Sequence, residues 1–204
     1  MNTYPIQKLS DAMGGELILG EGNGLVESGV STDTRSLVPG ALFFALSGEN
    51  FDAHDFLDQA VAAGAAGLVV RDLPDGLDPG RSAVIQVNDT LLALQKLAHW
   101  YRGKLDVVVI GITGSNGKTS TKDFTLSVIG QRYQVHATKG NLNNHIGLPL
   151  TVLETDDDDD VLVVEMGMNH SGEIAPLCEI AQPHIGIITN IGHAHIEFMG
   201  SREA

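Results

Sequence analysis

The stretch that most restricts the fold begins at Asp106. Val107-Val108-Val109-Ile110-Gly111-Ile112 is almost wholly apolar and passes directly into Thr113-Gly114-Ser115-Asn116-Gly117-Lys118-Thr119. A strand apolar on both faces belongs in a parallel sheet covered on each side. The glycines that follow let the backbone turn so that successive N–H groups face one anion at the start of a helix. In such a loop Lys118 reaches the outer phosphates of a nucleotide and the Thr119 hydroxyl ligates Mg²⁺. The common phosphate-loop pattern places a glycine five residues before Gly117; that position is Ile112, and Gly111 lies one residue too early. The strict motif therefore fails, while Gly-Lys-Thr in a strand–loop–helix setting survives. A glycine-rich turn with a surface lysine is the plainer alternative.

Around this anchor, strands and helices alternate. Before it, 41–46, 67–70 and 83–87 read as strands. Helices follow Asp52-Ala53-His54-Asp55, with Phe56, Leu57, Ala60, Val61 and Ala63 on one face, and Asp89-Thr90, with Leu91, Leu94, Leu97, Ala98 and Tyr101. Arg102-Gly103-Lys104 breaks the second of these, which sets a domain boundary near residue 105. After it the expected order is a helix over 118–129, strands over 133–137 and 161–165, a helix over 172–181 and a strand over 185–189. The fold class is α/β: an N-terminal domain, 1–105, and a parallel-sheet P-loop domain, 106–204.

Composition excludes several classes. Of 204 residues, 43% are apolar and 19% charged, an ordinary globular balance. The longest apolar stretch, Ala60 to Val70, contains two glycines and falls short of the ~18 residues of a membrane helix. No basic cluster followed by an apolar core opens the chain, so the expectation is a soluble cytoplasmic protein without membrane insertion. A net charge of −14 argues against nucleic acid as a partner. The aspartate run 156–160 reads as a solvated loop. Cys178, the single cysteine, excludes an internal disulfide and reads as a core thiol.

Two further features carry chemistry. Glu165 ends the apolar run Val161-Leu162-Val163-Val164, at the end of a parallel strand where such sheets bind ligands, and could hold a metal beside the phosphates. His193-Ala194-His195 has the spacing of a zinc pair, but no third strong ligand lies near it, so a magnesium ligand or active-site donor fits better.

With these residues in view the chain resembles the Mur ligases, which carry the shifted glycine spacing of residues 113–119. The resemblance extends over nearly the whole chain. It includes Ser31-Thr32-Asp33-Thr34-Arg35, Pro39-Gly40-Ala41-Leu42-Phe43, Phe51-Asp52-Ala53-His54-Asp55-Phe56, Gly140-Asn141-Leu142-Asn143-Asn144, Glu165-Met166-Gly167 and Asn190-Ile191-Gly192-His193-Ala194-His195. It implies an N-terminal domain that holds the uridine diphosphate end of a UDP-N-acetylmuramoyl-tripeptide through Ser31, Asp33, Thr34 and Arg35, with Asp52, His54 and Asp55 in the same region. Asn141, Asn143 and Asn144 would face the muramoyl peptide. ATP would bind through Gly114, Ser115, Asn116, Gly117, Lys118, Thr119 and Ser120, and Mg²⁺ through Thr119, Glu165 and His195, with Lys118, Glu165 and His195 as the catalytic set.

The implied reaction is an ATP-dependent amide ligation in peptidoglycan precursor synthesis, which adds D-alanyl-D-alanine through an acyl phosphate. Family members continue beyond the position of Ala204 with a carbamylated lysine and a domain for the incoming amine. The resemblance thus implies an inactive front portion of an enzyme that is a monomer when complete. Another Mur or folylpolyglutamate-type ligase and a non-catalytic nucleotide-binding module are the alternatives.

Overall fold

The computed structural model describes residues 1–48 and 51–192. The chain divides into two compact units, Met1–Trp100 and Tyr101–Ala204. The division falls a few residues before the position read from the sequence, and two side chains explain why. The Tyr101 hydroxyl donates to the Thr155 carbonyl at 2.8 Å, and Arg102 Nε donates to the Ala181 carbonyl at 2.9 Å. The last turn of its helix is therefore bonded within the second unit.

The first unit is built on a five-stranded sheet of β2 (Glu16–Leu19), β7 (Ala83–Gln86), β6 (Gly67–Val70), β5 (Leu42–Phe44) and β4 (Val30–Ser31), in that spatial order. Strands β4 to β7 run parallel, and β2 closes one edge antiparallel to β7. A two-stranded ribbon of β1 (Tyr4–Pro5) and β3 (Leu25–Val26) lies apart from it. The helices are α1 (Ile6–Met13), α2 (Leu57–Ala62), preceded by a 3₁₀ turn at Ala53–Phe56, and α3 (Thr90–Arg102). All four residues of β6 are buried, the signature of an interior parallel strand. Phe43, Leu57, Leu68 and Val84 form one core with Ala53 and Ala60. Helix α3 starts where the Asp89 carboxylate accepts from the Leu92 amide at 2.9 Å, an N-cap that satisfies one of the helix's unpaired donors. Leu94, Leu97, Ala98 and Tyr101 are fully buried, as their helical spacing predicted.

The second unit carries a four-stranded, all-parallel sheet in the order β11 (Ile185–Ile188), β8 (Val108–Thr113), β10 (Val161–Glu165), β9 (Val135–Ala137). Helix α4 (Lys118–Ile129) follows β8 across the glycine loop, with the bounds expected for it, and α6 (Ile174–Ala181) leads into β11. Ile110, Ile112, Val161 and Val163 make the core under α4, with Leu126 and Ile129 against them. Each fully buried aliphatic side chain of this kind contributes about 1.5–3 kcal/mol.

Helix α5 (Gly147–Glu154) has no counterpart in the sequence reading. Leu148, Pro149, Val152 and Leu153 are buried, so the helix shows no polar face to give it a period, and Pro149 sits in its first turn, where a missing N–H costs little. The aspartate run forms the exposed turn expected of it. Cys178 is half-buried, and burial pushes its thiol above the usual range.

Candidate functional site

The loop between β8 and α4 is shaped by two glycines for different reasons. Gly117 has φ +82° with open space around it, so only its backbone angle calls for glycine. Gly114 has φ +134°, and a side chain there would run into Thr189 Oγ1 and stand 3.0 Å from the Asn190 backbone. Thr189 and Asn190, just after β11, hold the loop from the side. Asn190 accepts from the Ser115 amide through its carbonyl and from the Asn116 amide through its side chain, each at 3.1 Å. The Thr189 hydroxyl donates to the Asn116 carbonyl at 2.6 Å. In return the Ser115 hydroxyl accepts from the Gly192 amide at 2.8 Å.

These bonds assign the loop's amides. Those of Ser115 and Asn116 are engaged by Asn190. The first bond of α4's opening turn runs from the Thr121 amide to the Gly117 carbonyl at 2.9 Å. The amides of Lys118, Thr119 and Ser120 therefore point out of the helix start, where donors and macrodipole together favour an anion. Lys118 Nζ turns back to the Gly114 carbonyl at 2.8 Å, across the mouth of the same loop.

Beside it, Glu165 closes β10 and is only 3% exposed. Its Oε2 accepts from the Thr119 hydroxyl at 3.0 Å, and its Oε1 from Asn143 Nδ2 at 2.9 Å. Its amide donates to Thr138 Oγ1 at 2.9 Å, and the buried Lys122 Nζ donates to the Thr138 carbonyl at 3.0 Å. Among the described residues, the carboxylate's hydrogen-bond donors are all neutral, so its charge is left for a cation to balance. The oxygens of Thr119 and Glu165 are the hard donors that Mg²⁺ takes, and the pair fits that ion. Among the described residues no three His, Cys, Asp or Glu side chains gather as a metal centre. His193 and His195 lie outside the described residues.

Of the asparagines expected at the peptide, Asn143 is turned onto Glu165. Asn144 uses its side-chain oxygen to accept from the Ile146 and Gly147 amides at 3.1 and 2.9 Å, starting α5. Asn141 is exposed, and its carbonyl accepts from the Asn143 amide. Lys122, Thr138, Thr189 and Asn190 had no role assigned from the sequence. Their side chains bond backbone carbonyls and amides far away in the sequence, which leaves no spacing signature.

The first unit carries a cavity of about 460 Å³ lined by Thr32, Asp33, Thr34, Arg35, Phe43, Phe51, Ala53, Phe56 and Gln59. Phe51 and Phe56 stack at 5.3 Å between ring centres. Arg35 and Asp33 form a two-point pair, Nε to Oδ1 at 2.9 Å and Nη2 to Oδ2 at 2.6 Å, which holds the Asp33 carboxyl down at about 2. Ser31 lies behind this pair, its hydroxyl donating to the Asp33 carbonyl. Asp52 and His54 bond each other at 2.6 Å. Burial raises the Asp52 carboxyl, but the His54 amide and ring and the Ser47 hydroxyl outweigh it and bring it to about 2. Asp55 lies in the 3₁₀ turn. The aromatic lining was missed because Phe51 and Phe56 read as ordinary apolar residues.

A parallel sheet with an anion-binding loop at one strand end and a buried acid at the next defines a nucleotide-binding α/β protein. Comparison with known proteins narrows that class. Residues 28–102 match the Mur ligase family catalytic domain, and residues 112–204 match the Mur ligase middle domain. The chain belongs to the Mur ligase family. It is 47% identical over 97% of its length to the UDP-N-acetylmuramoyl-tripeptide–D-alanyl-D-alanine ligase of Bacillus subtilis, of which it covers 43%. It superposes over its whole length on 44% of crystalline MurF from Acinetobacter baumannii, with a TM-score of 0.88 and 36% identity. MurF of Thermotoga maritima in complex with ADP matches 85% of the chain over 40% of its own, with a TM-score of 0.76 and 36% identity. The chain thus spans less than half the length of these relatives. Among the described residues no helix is long and apolar enough to cross a membrane.

Proposed function

We propose that this chain supplies the nucleotide site and the uridine-substrate site of a UDP-N-acetylmuramoyl-tripeptide–D-alanyl-D-alanine ligase. The observation that carries the reading is the Lys118–Thr119–Glu165 arrangement: a lysine and three outward amides at a helix start, next to a buried acid bonded to the Thr119 hydroxyl. The loop of residues 114–120 would take the phosphates of ATP through the Lys118, Thr119 and Ser120 amides, with Lys118 releasing the Gly114 carbonyl for the outermost one. Thr119 and Glu165, with His195, would hold Mg²⁺, which supplies charge neutralisation between two anions that repel. In the first unit, the stacked Phe51 and Phe56 offer a face for the uracil ring, and the Arg35 fork suits a diphosphate.

The reaction follows from those two sites. The peptide carboxylate attacks the γ-phosphoryl group of ATP, giving an acyl phosphate and ADP. The amine of D-alanyl-D-alanine then attacks the acyl carbon, loses a proton and expels phosphate. The chain's own residues align and neutralise the reactants, the larger part of phosphoryl transfer. The relative from Thermotoga maritima, solved with ADP, supports the nucleotide assignment. A cytoplasmic location follows from substrates that are made and used beside ATP.

The test is ADP formation by the full product of the gene, offered the UDP-tripeptide with either D-alanyl-D-alanine or a single amino acid. Turnover with the dipeptide alone is expected. Turnover with a single amino acid in place of the dipeptide would assign the chain to another ligase of the family.

A further inference from the structure

Glu165 is held more closely than a metal-binding acid needs to be, and the residue that holds it is itself clamped. Asn143 Nδ2 donates to Glu165 Oε1 at 2.9 Å, while the Asn143 carbonyl accepts from the Gly167 amide at 2.8 Å. The amide group of Asn143 lies flat against Gly167. A side chain on that glycine would meet Asn143 Cγ, Oδ1 and Nδ2 at 3.1, 3.1 and 3.2 Å. Gly167 has no positive φ, so its lack of a side chain serves this contact and not a backbone turn. On the other side, Oε2 faces the Thr119 hydroxyl.

The two carboxylate oxygens are therefore unequal. A hydroxyl can keep its proton on Oε2 while its lone pairs face a cation, so the Thr119 contact is compatible with a metal on that oxygen. An amide NH₂ has no lone pair to offer, so the Asn143 contact keeps Oε1 turned away. To chelate a cation through both oxygens, the carboxylate would have to rotate and give up the Asn143 bond. Asn143 cannot follow, because Gly167 fixes its main chain and its amide. Mg²⁺ is content with one oxygen per carboxylate in near-octahedral geometry, whereas Ca²⁺ readily takes both.

Resting on the ligase reading above, we infer that Asn143 is a positioning residue which restricts Glu165 to single-oxygen coordination and so sets the site's preference for Mg²⁺ over Ca²⁺. It does this in place of contacting the peptide.

The experiment measures ADP affinity of the chain by calorimetry in Mg²⁺ and in Ca²⁺, for the unaltered sequence, Asn143→Leu and Gly167→Ala. Leu fills the volume of Asn143 without donating; the Gly167→Ala methyl presses on the Asn143 amide while leaving residue 143 unsubstituted. Thermal melting without metal reports folding. The ratio of Mg²⁺- to Ca²⁺-supported affinity should fall about tenfold in each folded variant, about 1.4 kcal/mol. An unchanged ratio in a folded variant that still binds ADP would overturn the inference. If both variants fail to fold, the ratio is read on Asn143→Ser, whose hydroxyl is too short to reach Glu165, and the same two outcomes apply. An unaltered chain whose ADP affinity ignores divalent cations would overturn the ligase reading, and this inference with it.

Discussion

The Asn190 side chain accepts from the Asn116 amide, and the Asn190 carbonyl from the Ser115 amide, each at 3.1 Å. The anion loop is thus preformed by a neighbouring strand end, with the Ser115 and Asn116 amides already spent on holding its shape. The remaining donors, at the start of α4, and Lys118 are left for the ligand. A preformed loop avoids the ordering cost of assembling donors around an anion.

Lys118→Ala should weaken nucleotide binding and leave the fold. Among the described residues its ammonium bonds the Gly114 carbonyl, at a half-buried site, so its loss costs about 1 kcal/mol of stability. A charge-assisted bond to phosphate is worth about 1.5–3 kcal/mol, which makes ADP affinity fall about 10- to 100-fold. Calorimetry and a melting curve on the same sample check both halves. Wild-type affinity at an unchanged melting temperature would take Lys118 out of the site.

The two loop glycines should respond differently to alanine. At Gly117 the added methyl meets nothing within 4 Å, so only the left-handed angle is penalised, at about 1–2 kcal/mol. At Gly114 it would run into Thr189 Oγ1, which holds the Asn116 carbonyl. Gly114→Ala should therefore cost more stability and also loosen Ser115 and Asn116. Denaturant unfolding ranks the two; equal losses would mean that Thr189 yields freely.

The Asp33–Arg35 pair gives a pH signature. Arg35 holds the Asp33 carboxyl at about 2, below its ordinary 3.8. Because the folded value is the lower one, the pair's contribution is present above about 3.8 and is lost as pH falls through about 2. Both groups are largely open to solvent, so the contribution is small and weakens with salt. In Arg35→Ala the Asp33 carboxyl should rise only part of the way to its ordinary value, as read by NMR, because the residue-35 amide still donates to it. The same variant should weaken UDP binding and leave ADP binding alone. Loss of ADP affinity instead would exchange the roles of the two units.

How much of this was legible beforehand depends on which part of each residue does the work. Helix α4 and strand β10 were read to the residue because Gly-Lys-Thr and a pure Val/Leu run are strong local signals. Helix α5 was invisible because burial on all sides erases the period that marks a surface helix. At the site, Lys118, Thr119 and Glu165 stood out as side-chain chemistry. The resemblance implies a peptide contact for Asn143, a loop residue; in the structure its side chain bonds an acid 22 residues later, at the end of β10. A pairing of that kind joins a loop after β9 to the end of β10, and no short-range pattern encodes it.

His54 provides the last test. Its ring joins two segments: Nδ1 lies 2.6 Å from Asp52 Oδ1, and Nε2 accepts from the Arg71 amide at 3.0 Å. Since Nε2 accepts, Nδ1 carries the proton, and the ring is the neutral Nδ1–H tautomer. With Ser47 also donating to Asp52 at 2.8 Å, the trio superficially resembles a nucleophile, base and acid set. It cannot act as one, because the nitrogen a base would use is already committed to a backbone amide. The trio instead fixes the chain on either side of Phe51 and Ala53, which line the cavity. His54→Ala leaves the Arg71 amide and Asp52 without their shared partner, which should cost about 1–3 kcal/mol. It should also weaken UDP binding by disturbing the Phe51–Phe56 stack. His54→Asn, whose amide can donate towards Asp52 through Nδ2 but is too short to span to Arg71, should recover only part of the stability. Melting curves and UDP titrations of the two variants decide it. Full stability in His54→Ala with normal UDP affinity would show that the histidine spans these segments without supporting them.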